Sequence, residues 1–309
     1  MGAPASEARP ALSILIPSRD RPEMLARCLA SVAAAAGPDD EIIVIDSASV
    51  DAAAVVAAAL AAGARLVRCD LPGVCRARNA GWRAARHDLL AFTDDDVVVD
   101  AGWADAFARV AAAHPEAAFV SGRISVPAGQ EGGSREVAIK DDPEPAVLTA
   151  ASTGDLGHSA SLLVRGSTLA GVGGWDEALG AGGRFRSAPE VDLYDRVFAT
   201  GATGRYEPAA RAWHDQWRER RDLVRLDLRY GTGLGARLAK LVRTDRARAR
   251  HVLIDSVWRW NRNEMVGAIR HRNKTALLLV IVRSIGTVGG FVAALGVPVR
   301  DGHLRPRRP

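Results

Sequence analysis

Cysteine is scarce in this sequence, and a secretory leader is missing. The three cysteines, Cys28, Cys69 and Cys75, have no metal-ligand spacing and leave one thiol unpaired in any disulfide scheme. The first residues, MGAPASEARP, lack the apolar core of a secretory signal. At 309 residues and 48% hydrophobic, the chain can bury one large core or two modest ones. We therefore expect a globular protein of the reducing cytoplasm.

Charge is distributed unevenly along the chain. Residues 1–217 hold 20 Lys and Arg against 29 Asp and Glu, whereas residues 218–309 hold 21 against 7. A basic tail suits an anionic membrane surface, a nucleic acid or simply a solvated helical face. Only charge favours nucleic acid, because no recognisable nucleic-acid-binding module is present, so we expect no nucleic-acid partner.

Short apolar runs alternate with stretches of helical length and composition. The runs predicted as buried strands are LSILIP (12–17), EIIVID (41–46), ARLVRC (64–69), DLLAFT (88–93), AAFVSGRISV (117–126) and SASLLVRG (159–166). The predicted helices span 22–36, 51–62, 75–86, 101–114 and 188–201. This alternation predicts an α/β fold with a mostly parallel central sheet flanked by helices on both faces.

Carboxylates follow two of the predicted strands. Asp46 ends the second run, and Asp94, Asp95 and Asp96 follow the fourth. In open parallel sheets ligands bind at the carboxyl ends of the strands, so we expect these acids to share one crevice. Unit charges about 4 Å apart repel by roughly 4 kcal/mol at an effective dielectric near 20, so the triplet requires open water or a cation.

The remaining segments divide the chain at about residue 220. Residues 127–156 have no sustained period and are rich in Gly, Pro and charge, as expected of a lid or a flexible loop within a 1–220 domain. Residues 221–309 form a basic helical extension. Its apolar segment 275–299 is long enough to span a bilayer but is interrupted by Arg283, glycines and Pro298, so it predicts either a packed helix or peripheral attachment to the inner face of the cell membrane.

GTGLGA (231–236) is rejected as a dinucleotide fingerprint because no strand precedes it.

Five pieces of the sequence resemble, in sequence and in order, the family-2 glycosyltransferases of the GT-A fold. They are LSILIPSRDRPEMLARCLASV, EIIVIDSASVDA, GVCRARNAGWRAARHDLLAFTDDDV, GHSASLLVRGSTLAGVGGWDEALG and PEVDLYDRV. The resemblance covers about residues 10–220 and implies a Rossmann-like nucleotide-binding half. It also implies inverting transfer of a sugar from a nucleotide-diphosphate sugar to an acceptor hydroxyl, usually with Mg²⁺ or Mn²⁺. The acceptor class, whether saccharide, lipid-linked sugar or small metabolite, is left open.

The resemblance implies roles for residues on the donor side. Asp94 to Asp96 match the DxD-type motif, with Asp96 and Asp94 as metal ligands, Asp94 also as a ribose contact, and Asp95 in the donor site. His214 matches a histidine that binds the metal or the diphosphate, although a structural role is equally open. Asp46 matches the nucleobase-reading acid, but the family's DDGS is DSAS here. The other implied donor contacts are Pro17, Ser18, Arg19, Arg76 and Asn79, with Arg78 as the alternative to Arg76 at the diphosphate.

On the acceptor side, the family's GED followed by xDL is replaced here by APEVDL. The register places Glu190 at the position of the catalytic base and leaves Asp192 as the runner-up or as a structural acid at a helix start. Trp175 and Asp176 match the loop beside the acceptor, where Trp175 either stacks on a sugar or packs in the interior.

Two other functions compete with the transferase. A sugar nucleotidyltransferase is disfavoured because SRDRPEML, after the first strand, has no glycine to cradle a triphosphate. A non-catalytic nucleotide-sugar-binding protein is motivated by the departures at DSAS and APEV.

Overall fold

The apolar runs of the first 214 residues form one central sheet in the computed structural model, which describes residues 9–130, 137–217 and 220–305. Its strands are β1 (Leu12–Ser18), β2 (Glu41–Ser47), β3 (Arg65–Cys69), β4 (Leu89–Thr93), β5 (Val97–Val99), β6 (Ala117–Ser125), β7 (Ala146–Leu148), β8 (Ser161–Arg165) and β9 (Thr203–His214). Their order is β3-β2-β1-β4-β8-β6-β9-β5, and β7 pairs with β9. Strands β3, β2, β1 and β4 are mutually parallel, and β8 runs antiparallel to β4 and β6. The parallel half therefore brings the carboxyl ends of β1, β2 and β4 to one edge.

Helices cover both faces of this sheet because its buried strands alternate their side chains between two cores. Leu12, Ile14 and Ile16 of β1 pack on one face, and Leu15 packs on the other. The first face is covered by α1 (Pro22–Ala35), α2 (Ala52–Ala61) and α4 (Trp103–Ala113). The second face is covered by α3 (Val74–Ala84), α5 (Gly166–Val172) and α6 (Pro189–Phe198).

The predicted α/β fold is confirmed, with additions that the sequence reading missed. Strand β9 carries polar residues at alternate positions and is not among the predicted strands. Strand β7 lies inside the segment predicted as a loop, 127–156; residues 131–136 of that segment lie outside the described residues. Both additions belong to the half of the sheet that reaches His214.

The C-terminal extension is helical, as predicted, and ends in a small hairpin. Its elements are α7 (Arg220–Thr244), α8 (Arg246–Val252), a π-helical stretch (Leu253–Arg259), α9 (Trp260–Arg270), α10 (Lys274–Leu295), β10 (Val299–Arg300) and β11 (His303–Leu304). The GTGLGA segment lies inside α7, as its rejection required.

Helices α7 and α10 lie side by side through glycines. A Cβ at Gly231 or Gly235 would clash with the backbone of Arg283 or Thr287, and one at Gly290 would clash with the backbone of Thr232. The two backbones therefore approach too closely for any larger residue. This close packing fixes α10 on α7, and α7 in turn contacts the candidate site.

Candidate active site

The acidic triplet follows β4 at the edge where the parallel strands end. The Asp94 carboxylate accepts a hydrogen bond from Nη2 of the buried Arg78 at 2.7 Å. Asp95 accepts one from Ser18 Oγ, at the end of β1, at 2.8 Å and one from Arg21 Nη1 at 3.1 Å. Each of these two carboxylates is thus partnered by an arginine from a different segment.

The pKa of Asp95 differs from that of an ordinary aspartate. Burial is the main cause that raises the pKa of its carboxyl to about 6, with smaller raising effects from Asp96 and Asp94 and opposing effects from Arg21 and Ser18. The ionised form of this buried carboxylate is therefore only partly compensated by its neighbours.

Asp96 is connected to β9 through strand pairing. Because Val97 of β5 pairs with His214 of β9, the preceding Asp96 lies beside the end of β9. Its Oδ1 lies 3.5 Å from His214 Nε2, and its Oδ2 accepts a hydrogen bond from Trp217 Nε1 at 2.8 Å. The buried Asp96 and His214 thus lie side by side where β5 begins and β9 ends.

The predicted metal ligands are only partly brought together. Asp96 and His214 are neighbours, whereas Asp94 faces Arg78. Across residues 9–130, 137–217 and 220–305, no three His, Cys, Asp or Glu side chains are grouped as a metal site. The donor set itself fits a hard divalent cation, since carboxylate oxygens are the ligands that Mg²⁺ and Mn²⁺ prefer and a nearby cation would stabilise the ionised form of the buried Asp95.

Asp46 is the penultimate residue of β2 at the same edge, where Ser18 of β1 is its neighbour in register. Its Oδ1 accepts a hydrogen bond from Ser49 N at 2.9 Å, and its Oδ2 forms an ion pair with Arg68. Arg68 is opposite Asp46 on β3. The base-reading acid of the resemblance therefore has an arginine beside it that the sequence reading missed.

The segment after β1 presents one of its three predicted donor contacts to solvent. Pro17 and Ser18 are buried within the strand, and Ser18 acts through Asp95. Arg19 is exposed and lies 3.4 Å from Asp20. Of the three, Arg19 is the side chain placed to contact a ligand directly.

Asn79 and Trp175 hold the loop 173–180, which the resemblance places beside the acceptor, against helix α3. Asn79 Oδ1 accepts a hydrogen bond from Trp175 N at 2.8 Å, and its Nδ2 donates to Trp175 O at 3.0 Å. The Trp175 ring meets Phe92 edge-on, with centroids 5.3 Å apart, and Arg78 lies 4.9 Å over it. Both side chains thus pack the loop onto the sheet.

Arg76 and Asp176 also form polar contacts with other residues in this loop region. Arg76 Nε lies 3.4 Å from Glu177 Oε2. Asp176 Oδ2 accepts hydrogen bonds from Lys240 Nζ at 2.9 Å and from Leu304 N of the C-terminal hairpin at 2.8 Å. Trp175 and Asp176 are each 1% exposed, so in this structure their side chains support the loop from beneath, and direct contact with a substrate stays a prediction.

Glu190 lies at the start of α6, where the backbone is constrained. Ala188 has φ +66°, a left-handed conformation that glycine adopts without strain and that corresponds to the glycine of GED. Pro189 then begins the helix. The Glu190 side chain is 17% exposed, and its Oε1 lies 3.6 Å from His158 Nδ1; His158 Nε2 lies 2.8 Å from Asp155 Oδ2. The carboxylate is therefore accessible and aligned with an acid-histidine pair.

Asp192, the alternative base, has a different environment. It is 0% exposed, forms an ion pair with Lys240, and accepts a hydrogen bond from Arg196 Nε at 3.0 Å. A carboxylate enclosed between two cations has the environment of a structural acid, whereas Glu190 is the more exposed of the two candidate bases.

The pKa of the buried Tyr194 hydroxyl on α6 is affected by several charged side chains of the site. Burial raises the pKa of its hydroxyl, the negative charges of Glu190 and Asp155 raise it further, and Arg78 lowers it. Arg78 also binds Asp94 of the acidic triplet.

His158 provides a prediction of pH dependence. Burial alone lowers its pKa, but Asp155 and Glu190 outweigh burial and raise the pKa to about 10. A histidine with a raised folded-state pKa contributes its full stability below the unfolded value of about 6.5 and loses it as the pH rises through about 10. The free energy of unfolding should therefore fall by up to about 5 kcal/mol between these pH values.

Urea denaturation at several pH values measures this effect. His158→Gln should flatten the pH dependence, whereas His271→Gln, at an exposed helix end, should leave it unchanged. Identical pH profiles for His158→Gln and the unmodified protein would contradict the assignment.

Several side chains of the site were missed at the sequence level. Arg21, Arg68, Asp155, His158, Trp217 and Lys240 take part in its contacts. His158 had a local signal, since it directly precedes the predicted strand SASLLVRG beside the acceptor loop motif. No local sequence signal pointed to Lys240, because it lies 48 positions after Asp192 in a segment that was predicted only to be helical and basic.

Comparisons with known proteins agree with this architecture. Residues 13–162 match the model of the family described as Glycosyl transferase family 2. Curated relatives from two strains of Mycobacterium tuberculosis, CDC 1551 and H37Rv, are each described as a pre-mycofactocin glycosyltransferase. Each is 28% identical over 313 residues, covering 94% of this chain and 56% of the relative. The chain thus spans little more than half the length of these relatives.

Solved structures share the fold across most of the chain. TarS 1-349 of S. aureus superposes with a TM-score of 0.62 at 14% identity, covering 93% of this chain and 81% of that one. The mannosyltransferase PcManGT from Pyrobaculum calidifontis, solved in complex with GDP-Man and Mn²⁺, has a TM-score of 0.62 at 17% identity, covering 93% and 89%. The chain is thus similar to family-2 glycosyltransferases over residues 13–162, and it shares the fold of these solved glycosyltransferases.

Proposed function

We propose that this chain is a metal-dependent, inverting glycosyltransferase that moves a sugar from a nucleoside-diphosphate sugar to an acceptor hydroxyl. The observation that carries the proposal is the partly exposed Glu190 carboxylate, which lies beside His158 in a chain whose acidic triplet follows the parallel strands. A base for the acceptor hydroxyl and a carboxylate cluster that can hold a cation for the diphosphate are the two parts that the reaction requires.

The donor nucleotide is assigned to the edge where β1, β2 and β4 end. Asp46 and Arg68 offer an acceptor and a donor for the nucleobase, and Arg19 offers a contact on the solvent side. That PcManGT binds GDP-Man supports the class of donor, a nucleoside-diphosphate sugar.

Asp94, Asp96 and His214 would hold Mg²⁺ or Mn²⁺. When bound, the cation would stabilise the negative charge that develops on the nucleoside diphosphate as the glycosidic bond breaks. Arg78 and Arg21 keep the Asp94 and Asp95 carboxylates in place beside this position.

Glu190 acts as the general base. As the acceptor oxygen attacks the anomeric carbon of the donor sugar, a Glu190 carboxylate oxygen takes the hydroxyl proton. The bond between the anomeric carbon and the diphosphate breaks on the opposite side, so the configuration inverts and the nucleoside diphosphate leaves. His158 orients the carboxylate and places a positive charge beside it throughout the neutral pH range.

Thermal shift with a panel of nucleotide sugars and Mn²⁺ tests the donor side. A ligand at about 100 times its dissociation constant stabilises a protein by about 2.7 kcal/mol, so the correct donor should raise the melting temperature by several degrees. Asp96→Asn should lose the part of this shift that EDTA removes, because it weakens the cation site. Asp39→Asn, at an exposed turn, is the matched control.

The same assay separates the proposal from its rivals. If no nucleotide sugar shifts the melting temperature with Mn²⁺ present, the donor site is refuted. If a donor binds and neither hydrolysis nor transfer follows with a panel of acceptors, the non-catalytic binding protein replaces the transferase.

Peripheral contact with the inner face of the cell membrane is part of the same proposal. By length and composition, α10 could cross a bilayer; its mean hydropathy is 2.0, and 28% of its most apolar window is buried. Its Arg283 is not on the outward side: the guanidinium lies 3.9 Å over the Trp260 ring. The outward side carries aliphatic residues that are 46% to 66% exposed, namely Leu278, Ile281, Ile285, Val288, Val292 and Leu295. One apolar side and one packed side support an interfacial helix.

A further inference from the structure

An open apolar groove lies between α7, α8, the π-helical stretch and α10. Its volume is about 460 Å³, within the range of cavities that hold small ligands. The apolar residues that line it are Leu238, Val242, Ala249, Leu253, Val257, Val288 and Phe291. Val288 also belongs to the exposed aliphatic side of α10, so the groove opens onto the surface proposed to meet the membrane.

Two arginines form the charged rim of this groove. Arg246 and Arg250 are one helical turn apart on α8 and both line it. Neither forms an ion pair with an acidic side chain in the described part of the chain. Their neighbour Arg248, by contrast, is buried and donates to Asp195 Oδ1 at 2.8 Å. The rim arginines therefore leave their guanidinium donors available for an anion outside the fold.

Charge complementarity selects the occupant. Residues 246–295 hold nine Lys and Arg against two Asp and Glu, and α10 contains no acidic residue. A second copy of the chain placed on this surface would bring like charges together. An anionic lipid supplies both parts that the groove lacks, a hydrocarbon chain for its walls and a phosphate for its rim.

We propose that this groove is a binding site for one anionic phospholipid of the bilayer, with an acyl chain between α8 and α10 and its phosphate on Arg246 and Arg250. The inference extends the proposed membrane contact from a surface to a defined site. It rests on that contact for its biological setting, while the groove itself can be tested in solution.

Binding of monomeric dioctanoyl phosphatidylglycerol, measured by native mass spectrometry on the full chain, tests the site without a membrane. Arg246→Gln and Arg250→Gln should each weaken binding about fivefold, the effect of about one unit of favourable charge near an anionic lipid. Val288→Asp should abolish it by placing a carboxylate in the apolar wall. Ile285→Asp, on the same side of α10 but outside the groove, and Arg109→Gln on α4 should bind as the unmodified protein does.

Flotation with phosphatidylcholine vesicles, with and without phosphatidylglycerol, tests the membrane contact separately. Ile285→Asp and Val288→Asp should both reduce flotation, and Leu60→Asp, an exposed aliphatic position on α2, should not. Flotation without binding of the monomeric lipid would leave the membrane contact and overturn the site. Equal binding of the monomeric lipid by Val288→Asp would also overturn it.

Light scattering completes the test. A dimer that Val288→Asp dissociates, with no lipid bound by the unmodified protein, would assign the groove to a second copy of the chain and overturn the proposal. Val288→Asp should keep the donor-dependent thermal shift, so failure of the lipid site is distinguishable from failure of the proposed transferase.

Discussion

Glu190→Gln is expected to reduce kcat for sugar transfer by about 10² to 10⁴-fold while leaving the donor-dependent thermal shift intact. The amide has nearly the size of the carboxylate, and it can still accept a hydrogen bond from His158. It cannot take a proton from the acceptor hydroxyl. Because the donor is assigned to the opposite side of the crevice, donor affinity should not follow kcat.

The control for this experiment is provided by the chain itself. Glu23 of α1 follows Pro22 just as Glu190 follows Pro189, so each glutamate is the second residue of a helix begun by proline. Glu23→Gln removes the same favourable interaction between a carboxylate and a helix N-terminus. It should leave kcat unchanged. Full turnover by Glu190→Gln would remove Glu190 from the role of base.

His158 should act through Glu190 as a positioning residue. Its imidazole lies 3.6 Å from the carboxylate and is held by Asp155 at 2.8 Å. Loss of the imidazole should lower kcat with little effect on donor binding, because a freed carboxylate samples orientations that miss the acceptor hydroxyl. The Glu190→Gln and His158→Gln effects should therefore be less than additive in the double variant.

The donor side of the site could be predicted from sequence because it is built from strand ends. Asp46 and the Asp94 to Asp96 triplet each follow an apolar run, and parallel pairing carries such positions to one edge without any knowledge of the loops. The register between β1 and β2 places Ser18 beside Asp46, as this reasoning requires. Local pattern and one topological rule were sufficient there.

The acceptor side could not be predicted in the same way because its roles depend on burial. Asp176 and Asp192 look like functional acids in the sequence, and both are enclosed by Lys240 from a distant helix. Trp175 is enclosed by Phe92 and Arg78. No spacing within the acceptor motif distinguishes an acid that faces a crevice from one that faces a lysine far along the chain.

Lys240→Met is expected to lower the free energy of unfolding by about 3 to 5 kcal/mol, the cost of leaving buried charges without their partner. The Lys240 ammonium forms ion pairs with Asp176 and Asp192 and donates to Gly302 O at 2.8 Å. It thus connects three segments: the acceptor loop, helix α6 after the base, and the C-terminal hairpin. Methionine retains most of the apolar stem and removes the charge, so the change in packing is small.

Urea denaturation measures this change, with Lys274→Met at the exposed start of α10 as the control. A double variant, Lys240→Met with Asp192→Asn, should recover part of the loss, because one of the two orphaned carboxylates is then neutral. In the single variant the acceptor KM should rise more than the donor affinity falls, since Asp176 and Asp192 both lie on the acceptor side. Unchanged stability in Lys240→Met would mean that the helical extension does not support the acceptor loop, and that α7 contributes to the site only through its contact with α10.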